Sequence, residues 1–486
     1  MPTLYPDQER GAAWLRERNL ALLADEFGVG KSATFLAALE SGRPTLLVVP
    51  ACLRHNWGAK EIPKWRPGEW EVHHVSSVGS FRWPRMREIV IASPEMLPAT
   101  TGEVRRAEAD VRAAAGCQED VLDFAKRIDP AKALARLERV TKARGGADQL
   151  PPEGMVLGID EAHEFSNNKS IQTGRLRAIV KSTVKRGGRV HALTATPVLN
   201  DPSELWGLLT TMQLHKLAFG DWWRYLYAAG GFEGRFGMEW GEPRAEKIAA
   251  GLRGVALRRL LDDVRPNVPP LLRPIVHRVD IDEGALALRD SDREELRRRG
   301  PDVWRHVEEP GASRDDKVPF ELIARVGAAI SAAKVPAVLR IVEEYERAGE
   351  PLVVGGPFLA PIQAIGSRDG WATISGAESA EKRHAIVTAY ARGELRGVAA
   401  TIRAGGVGID LIRGATVLVI DRDWVPSWTR QFLARVRRTG QTRPVQPIFV
   451  RADHPLEMRK DETTERKLAL MRCVDAAAER PEVVTC

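Results

Sequence analysis

Apolar residues in this chain fall mostly in short unbroken runs and seldom in strict alternation. Residues 45–50, Glu88–Ala92, 155–159 and Arg189–Leu193 are such runs in the first half; 351–358 and 417–421 are others in the second. Each is bounded by Gly, Pro or polar residues, the pattern of a strand covered on both faces. Between them lie stretches of helical composition, the first being 33–39. Strands alternating with helices predict a parallel sheet, with ligands received at the carboxyl ends of its strands.

Two of those ends carry distinctive chemistry. The run Met155-Val156-Leu157-Gly158-Ile159 stops at Asp160-Glu161-Ala162-His163. An apolar strand ending in two acids can deliver one carboxylate to a magnesium ion and the next to the water that attacks a phosphate. Upstream, Ala24-Asp25-Glu26-Phe27-Gly28-Val29-Gly30-Lys31-Ser32 opens a helix-like run. Gly28 and Gly30 let backbone amides turn around phosphate oxygens at a helix N-terminus, Lys31 suits the β and γ phosphates, and the Ser32 hydroxyl suits magnesium. Asp25 occupies the place of the first glycine in the general pattern G-x-x-x-x-G-K-[ST]. A dinucleotide-binding oxidoreductase is the competing α/β class, but Ala33 follows Ser32 where its G-x-G-x-x-G fingerprint needs glycine.

Far downstream, a Gly-rich turn within Thr401-Ile402-Arg403-Ala404-Gly405-Gly406-Val407-Gly408-Ile409-Asp410-Leu411 precedes the strand 417–421. After that strand comes Gln431-Phe432-Leu433-Ala434-Arg435-Val436-Arg437-Arg438-Thr439-Gly440-Gln441. On a helix, Arg435 and Arg438 would face one way. They can form a solvated basic face, or they can reach across to a γ phosphate held by the first half.

This string of motifs resembles the Swi/Snf family of superfamily-two ATPases, helicase-like duplex-DNA translocases with bacterial and phage members, from Leu4 to Gln441. The segment Val48 to Trp57 with Glu61, Ile62, Lys64 and Trp65 is similar to that family's second motif, Leu193 to Pro197 with Asn200 to its third, and Arg258-Arg259 to the arginine pair closing its first lobe. The family's phosphate loop also lacks the first glycine. The resemblance implies an α/β fold of two RecA-like parallel-sheet lobes in tandem with helical insertions. It implies that Gln8 reads adenine, that Gly28, Gly30, Lys31 and Ser32 hold ATP, and that Ser32 and Asp160 hold Mg2+. Glu161 would act on the attacking water, Thr194 and Thr196 would couple nucleotide state to DNA grip, and Arg435 and Arg438 would be the fingers. Gly376 and Arg383 look like a further motif of the second lobe. Two departures stand out. Asp410 occupies a position where this family more often has Asn, while strand-separating helicases often place Asp there against the ribose. The strand at 351–358 lacks the usual Phe-Ser ending.

Length and charge agree. A chain of 486 residues exceeds one core's usual size. The expected division is an ATP-binding lobe over 1–262, a linker and helical element over 263–333, and a second lobe over 334–486. A net charge of +7 suits a polyanionic partner. Cys52, Cys117, Cys473 and Cys486 form no C-x-x-C pair, so neither zinc nor disulfides are indicated and a reducing cytoplasm is consistent. The N-terminus lacks signal-peptide character, and the charge-free stretch at 352–367 is too broken by Gly and Pro to span a bilayer. Residues 101–150 read as inserted helices. The aromatics Trp222, Trp223, Tyr225, Tyr227, Phe232, Phe236 and Trp240 read as a small helical core, with stacking on nucleic acid as the alternative.

The expectation is therefore an intracellular, cytoplasmic DNA-dependent ATPase (in the nucleoid, or in a host cell if phage-borne). It would use ATP and Mg2+ and move along duplex DNA, with a protein partner for targeting and no membrane. Two alternatives stay open: a strand-separating helicase on DNA or RNA, and a nucleic-acid binder with an inactive nucleotide site.

Overall fold

The computed structural model describes residues 2–116, 129–144, 150–234, 237–300, 303–304, 307, 318–406 and 409–476. Cys117, Cys486 and Phe236 lie outside the described residues. Seven strands form the first sheet: β1 (Leu20–Leu23), β2 (Thr45–Val48), β3 (Glu71–His74), β4 (Glu88–Ala92), β5 (Val156–Ile159), β6 (Arg189–Leu193) and, after a small hairpin of β7 (Gly231–Gly234) and β8 (Gly237–Trp240), β9 (Ala256–Leu257). Their order is β3-β4-β2-β5-β6-β1-β9 and every pairing is parallel. The second sheet holds β10 (Ile275–Val279), β11 (Leu352–Gly356), β12 (Trp371–Ile374), β13 (Gly397–Thr401), β14 (Thr416–Val419) and β15 (Gln446–Ala452), ordered β10-β15-β14-β11-β13-β12 and again all parallel. The two-lobed α/β expectation is borne out. Central strands β2, β4, β5 and β11 are buried at every residue, which is why they lack alternation.

Three expectations need correction. Residues 263–333 are not merely linker, because β10 joins the second sheet beside β15. The helix Phe320–Arg347 runs unbroken across residue 334, with Pro336 inside it. By length and composition it is also the one helix among the described residues that could cross a membrane, a test that a buried core helix passes equally. In the fold half of its most apolar stretch is buried, and Lys334 at its middle is fully buried with Asp421 and Glu457. The aromatic segment combines a helix, Trp222–Ala228, with the β7–β8 hairpin. Trp222, Tyr225 and Trp240 pack together there with Trp206, while Trp223 and Tyr227 face outward. Residues 101–150 do supply helices, Thr101–Gly116 and Pro130–Arg144.

The closing helix, Pro455–Asp475, spans the two halves. Leu456 near its start lies in the core of the second lobe, whereas Leu470 and Val474 complete the core of the first.

Candidate nucleotide site

The phosphate loop follows β1 and leads into the helix Lys31–Ala38. Gly28 and Gly30 hold φ of 84° and 101°, left-handed values that a side chain resists, and a Cβ on Gly30 would collide with Gln8 Nε2. Lys31 Nζ donates to Asp25 O at 2.9 Å and Glu26 O at 3.4 Å, so the cation is folded into the loop's own carbonyls. Burial lowers its pKa, opposed by the charges of Glu161, Asp25 and Asp160.

The missing first glycine has a structural account. Asp25 is fully buried and its carboxylate turns from the loop to Arg259, which donates to Oδ1 from Nε at 2.9 Å and to Oδ2 from a terminal nitrogen. Arg258 donates to Ala24 O and, at 2.8 Å, to Ala195 O, and pairs with Asp475 on the closing helix. The arginine pair thus fastens β9 to the phosphate loop and to the Thr194–Thr196 turn. Removing one partner of such a buried pair costs about 3–5 kcal/mol, because the other charge is left uncompensated.

At the end of β5, Asp160 Oδ2 accepts from Trp57 Nε1 at 2.8 Å and Oδ1 accepts from the Glu161 backbone at 3.0 Å. Burial, then the neighbouring Glu161 charge, pushes Asp160 up to about 6. Glu161 has φ of 49°, a strained value for a glutamate, and its Oε2 is buried without a hydrogen-bond partner. Burial raises its pKa while Lys31 and Arg435 oppose the rise. An orphaned carboxylate oxygen beside a lysine is a group waiting for a water or ligand.

His163 connects this acid to the next turn. Its Nδ1 lies 3.4 Å from Glu161 Oε2, 2.9 Å from Thr194 Oγ1 and 3.5 Å from Thr196 Oγ1. Burial lowers its pKa to about 4, so the ring is neutral at ordinary pH. Thr194 Oγ1 also accepts from Thr196 N at 3.1 Å.

From the second lobe, the helix Pro426–Leu433 ends before the arginines, which lie in the following turn; their common facing does not come from helical spacing. Arg435 Nε donates to Gly406 O at 2.8 Å, and its pKa is lowered to about 10 by burial and then by Arg438, with Asp410, Glu161 and Asp160 opposing. Arg438 pairs with Asp410, and its aliphatic stem lies about 4.0 Å from where a Gly28 Cβ would stand. Gln441 pins the turn by donating to Gly414 O at 2.9 Å and Ile412 O at 3.0 Å. Arg437, between the two, pairs with Asp262 of the first lobe.

Gln8 is buried against the loop, donating from Nε2 to Val29 O at 3.0 Å and accepting from Tyr5 N at 3.1 Å. Its neighbour Asp7 is paired with Arg265, which stacks on Tyr5. Ser32 stands in the first turn of the helix after the loop. Gly376 follows β12, and Arg383 in the helix Ala380–Arg392 carries its charge toward Cys52 of the first lobe. Sequence reasoning gave no role to Trp57, Asp7, Asp25, Arg265 or His163. His163, Trp57 and Asp25 each stood within a recognised motif, whereas Asp7 and Arg265 had no such signal.

Fold and site together define a two-lobed phosphate-loop protein whose second lobe presents arginines to the loop of the first. A model of the SNF2-related domain matches residues 7–285, and the chain belongs to that family. It is 24% identical over 473 residues to the human DNA annealing helicase and endonuclease ZRANB3, covering 93% of this chain and 39% of that protein. It is 23% identical over 519 residues to the ISWI chromatin-remodeling complex ATPase ISW1 of Saccharomyces cerevisiae, covering 97% of this chain and 40% of the relative. The chain therefore spans about two fifths of the length of these curated relatives. The Pyrococcus furiosus Hef helicase domain has a similar fold, with a TM-score of 0.50 and 16% identity, over 95% of this chain and 98% of that one.

Proposed function

We propose that this chain is an ATP hydrolase driven by DNA, moving along the double helix by opening and closing its two lobes. The observation that carries the reading is the convergence of Lys31, Asp160 and Glu161 from one lobe with Arg435 from the other, with Arg438 lying against Gly28 of the phosphate loop. Family membership supports ATP as the nucleotide and DNA as the track.

In this reading the phosphate loop receives ATP, and Lys31 exchanges the carbonyls of Asp25 and Glu26 for phosphate oxygens. The donor set suits magnesium: one hydroxyl, Ser32, and one carboxylate, Asp160, leave places for phosphate and water. When bound, that ion would neutralise phosphate charge. Glu161 orients the attacking water and accepts its proton at Oε2, which needs no bond to be broken first. Arg438 leaves Asp410 and, with Arg435, meets charge developing on the γ phosphate as the lobes close. His163 passes the state of Glu161 to Thr194 and Thr196, and Arg258 ties that turn to the loop. Gln8 would read adenine with its second amide N–H and the remaining lone pair of Oε1. Backbone contacts to DNA imply weak sequence preference.

The division we propose places the first lobe at 1–262 and lets the second begin with β10 at residue 275. Targeting would come from a protein partner, and the workplace is whichever compartment holds the DNA. A strand-separating helicase is favoured only by Asp410. The test is ATP turnover with duplex DNA, single-stranded DNA and RNA side by side. Stimulation by duplex above the others is expected; stimulation by RNA alone overturns the reading.

A further inference from the structure

Trp57 is buried in an otherwise apolar neighbourhood, 1% exposed, edge-on to Phe35 with ring centroids 6.2 Å apart. A leucine or phenylalanine would meet the same apolar surroundings, though with less volume; what tryptophan adds chemically is one N–H. An indole nitrogen donates and cannot accept, and when buried it needs a partner. Its partner lies 103 positions away in sequence, the Oδ2 atom of Asp160. The segment that carries Trp57 is irregular at this point. It passes from an α-helical turn at Arg54–Asn56 into a π-helical turn at Trp57–Glu61 and back to α at Ile62–Trp65. Such wide turns cost regularity and concentrate at functional sites.

The consequence for Asp160 is specific. A carboxylate has about four lone-pair directions. The Glu161 backbone takes one on Oδ1 and the indole takes one on Oδ2, which fixes the plane of the group and leaves a direction open on each oxygen. Lys31 does not share this task, since its amine points to Asp25 O and Glu26 O. Without the indole, Oδ2 would have no fixed donor and the carboxylate could turn toward the lysine.

We propose that Trp57 is a positioning residue for the metal site, its indole N–H holding the Asp160 carboxylate in the orientation that receives a divalent cation. The inference rests on the reading of Asp160 as the metal carboxylate. Partners that orient a metal-binding group typically matter 10–100-fold in metal affinity.

The test measures binding, not turnover. Affinity for a fluorescent ATP analogue is followed by anisotropy, first with EDTA and then across a Mg2+ titration, for the wild type, Trp57→Phe and Phe35→Leu. Trp57→Phe keeps a ring against Phe35 and removes the N–H; we expect metal-free affinity within about twofold of wild type and a Mg2+ half-saturation raised about tenfold or more. Phe35→Leu disturbs the same packing without touching the hydrogen bond, so it should lower the melting temperature and leave the Mg2+ half-saturation in place. Wild-type Mg2+ dependence in Trp57→Phe, or an equal shift in both variants, overturns the inference alone. Failure of Mg2+ to tighten binding in the wild type overturns the ATPase reading and the inference with it. If Trp57→Phe does not fold, the indole N–H signals of the thirteen tryptophans in the wild type decide. One signal, identified by its displacement in Asp160→Asn, should move when Mg2+ joins the ADP complex; no movement overturns the proposal.

Discussion

Lys31 and Glu161 illustrate how differently two charged groups in one cleft can be employed. Lys31 already bonds backbone carbonyls, acceptors that phosphate would replace in the proposed mechanism. Glu161 keeps a buried oxygen without a hydrogen bond, with only His163 Nδ1 near it at 3.4 Å, and sits on strained backbone. Lys31→Ala should therefore lose nucleotide affinity itself, whereas Glu161→Gln should bind ATP and stall. Affinity and turnover measured separately on each variant check this, and wild-type turnover by Glu161→Gln would remove the acid from the mechanism. These two positions stood out in the sequence because each lies in a short local motif at a strand's carboxyl end. The roles of Trp57, Asp25 and Arg265 did not, since each acquires its meaning from a partner more than a hundred residues away: Asp160, Arg259 and Asp7.

Short elements show the same division between local and distant causes. The parallel strands were readable because burial on both faces leaves unbroken apolar runs, and the fold followed from their alternation with helices. The lobe boundary was less readable. β10 has four exposed residues of five, so nothing in its pattern marks it as part of a sheet; only its register against β15 does. The arginine motif was found by composition, yet its geometry comes from a turn that Gln441 pins after the helix has ended, not from helical spacing. That turn gives the two arginines unequal starting points: Arg435 lies toward Glu161 and bonds Gly406 O, while Arg438 is half-exposed on Asp410. Each should nonetheless be needed at the transition state. Arg435→Ala and Arg438→Ala should each reduce DNA-stimulated turnover roughly a thousandfold or more, the scale of losing an arginine finger, with ATP affinity much less affected. Steady-state turnover with parallel nucleotide binding measures this; a drop in affinity equal to the drop in turnover would assign these arginines to ground-state binding.

For the molecule as a whole, polar contacts join the lobes beside the apolar anchorage of the closing helix, whose Leu470 and Val474 lie in the first core. Arg437 meets Asp262, Arg430 and Arg258 share Asp475, and Ser427 reaches Val198 O at 3.4 Å. Surfaces of this kind suit repeated opening and closing better than a continuous apolar seam would. The proposed movement along duplex DNA would need no wedge between strands. The chain should displace the third strand of a DNA triplex in an ATP-dependent reaction while releasing little single strand from a forked duplex. DNA binding should weaken steeply with salt as phosphate contacts release counterions. Efficient fork unwinding without triplex displacement would promote the strand-separating alternative.

The closing helix has a consequence for how the protein is made. Leu470 and Val474 belong to the core of the first lobe, but they leave the ribosome only after the whole second lobe has been synthesised. The stretch from residue 263 to residue 475 takes roughly 10 to 40 s at usual synthesis rates. During that interval the nascent first lobe carries an open apolar groove and an Arg258 still lacking its carboxylate on Asp475. Newly made chains should therefore engage chaperones at this groove, and translation pauses within the second lobe should prolong the engagement.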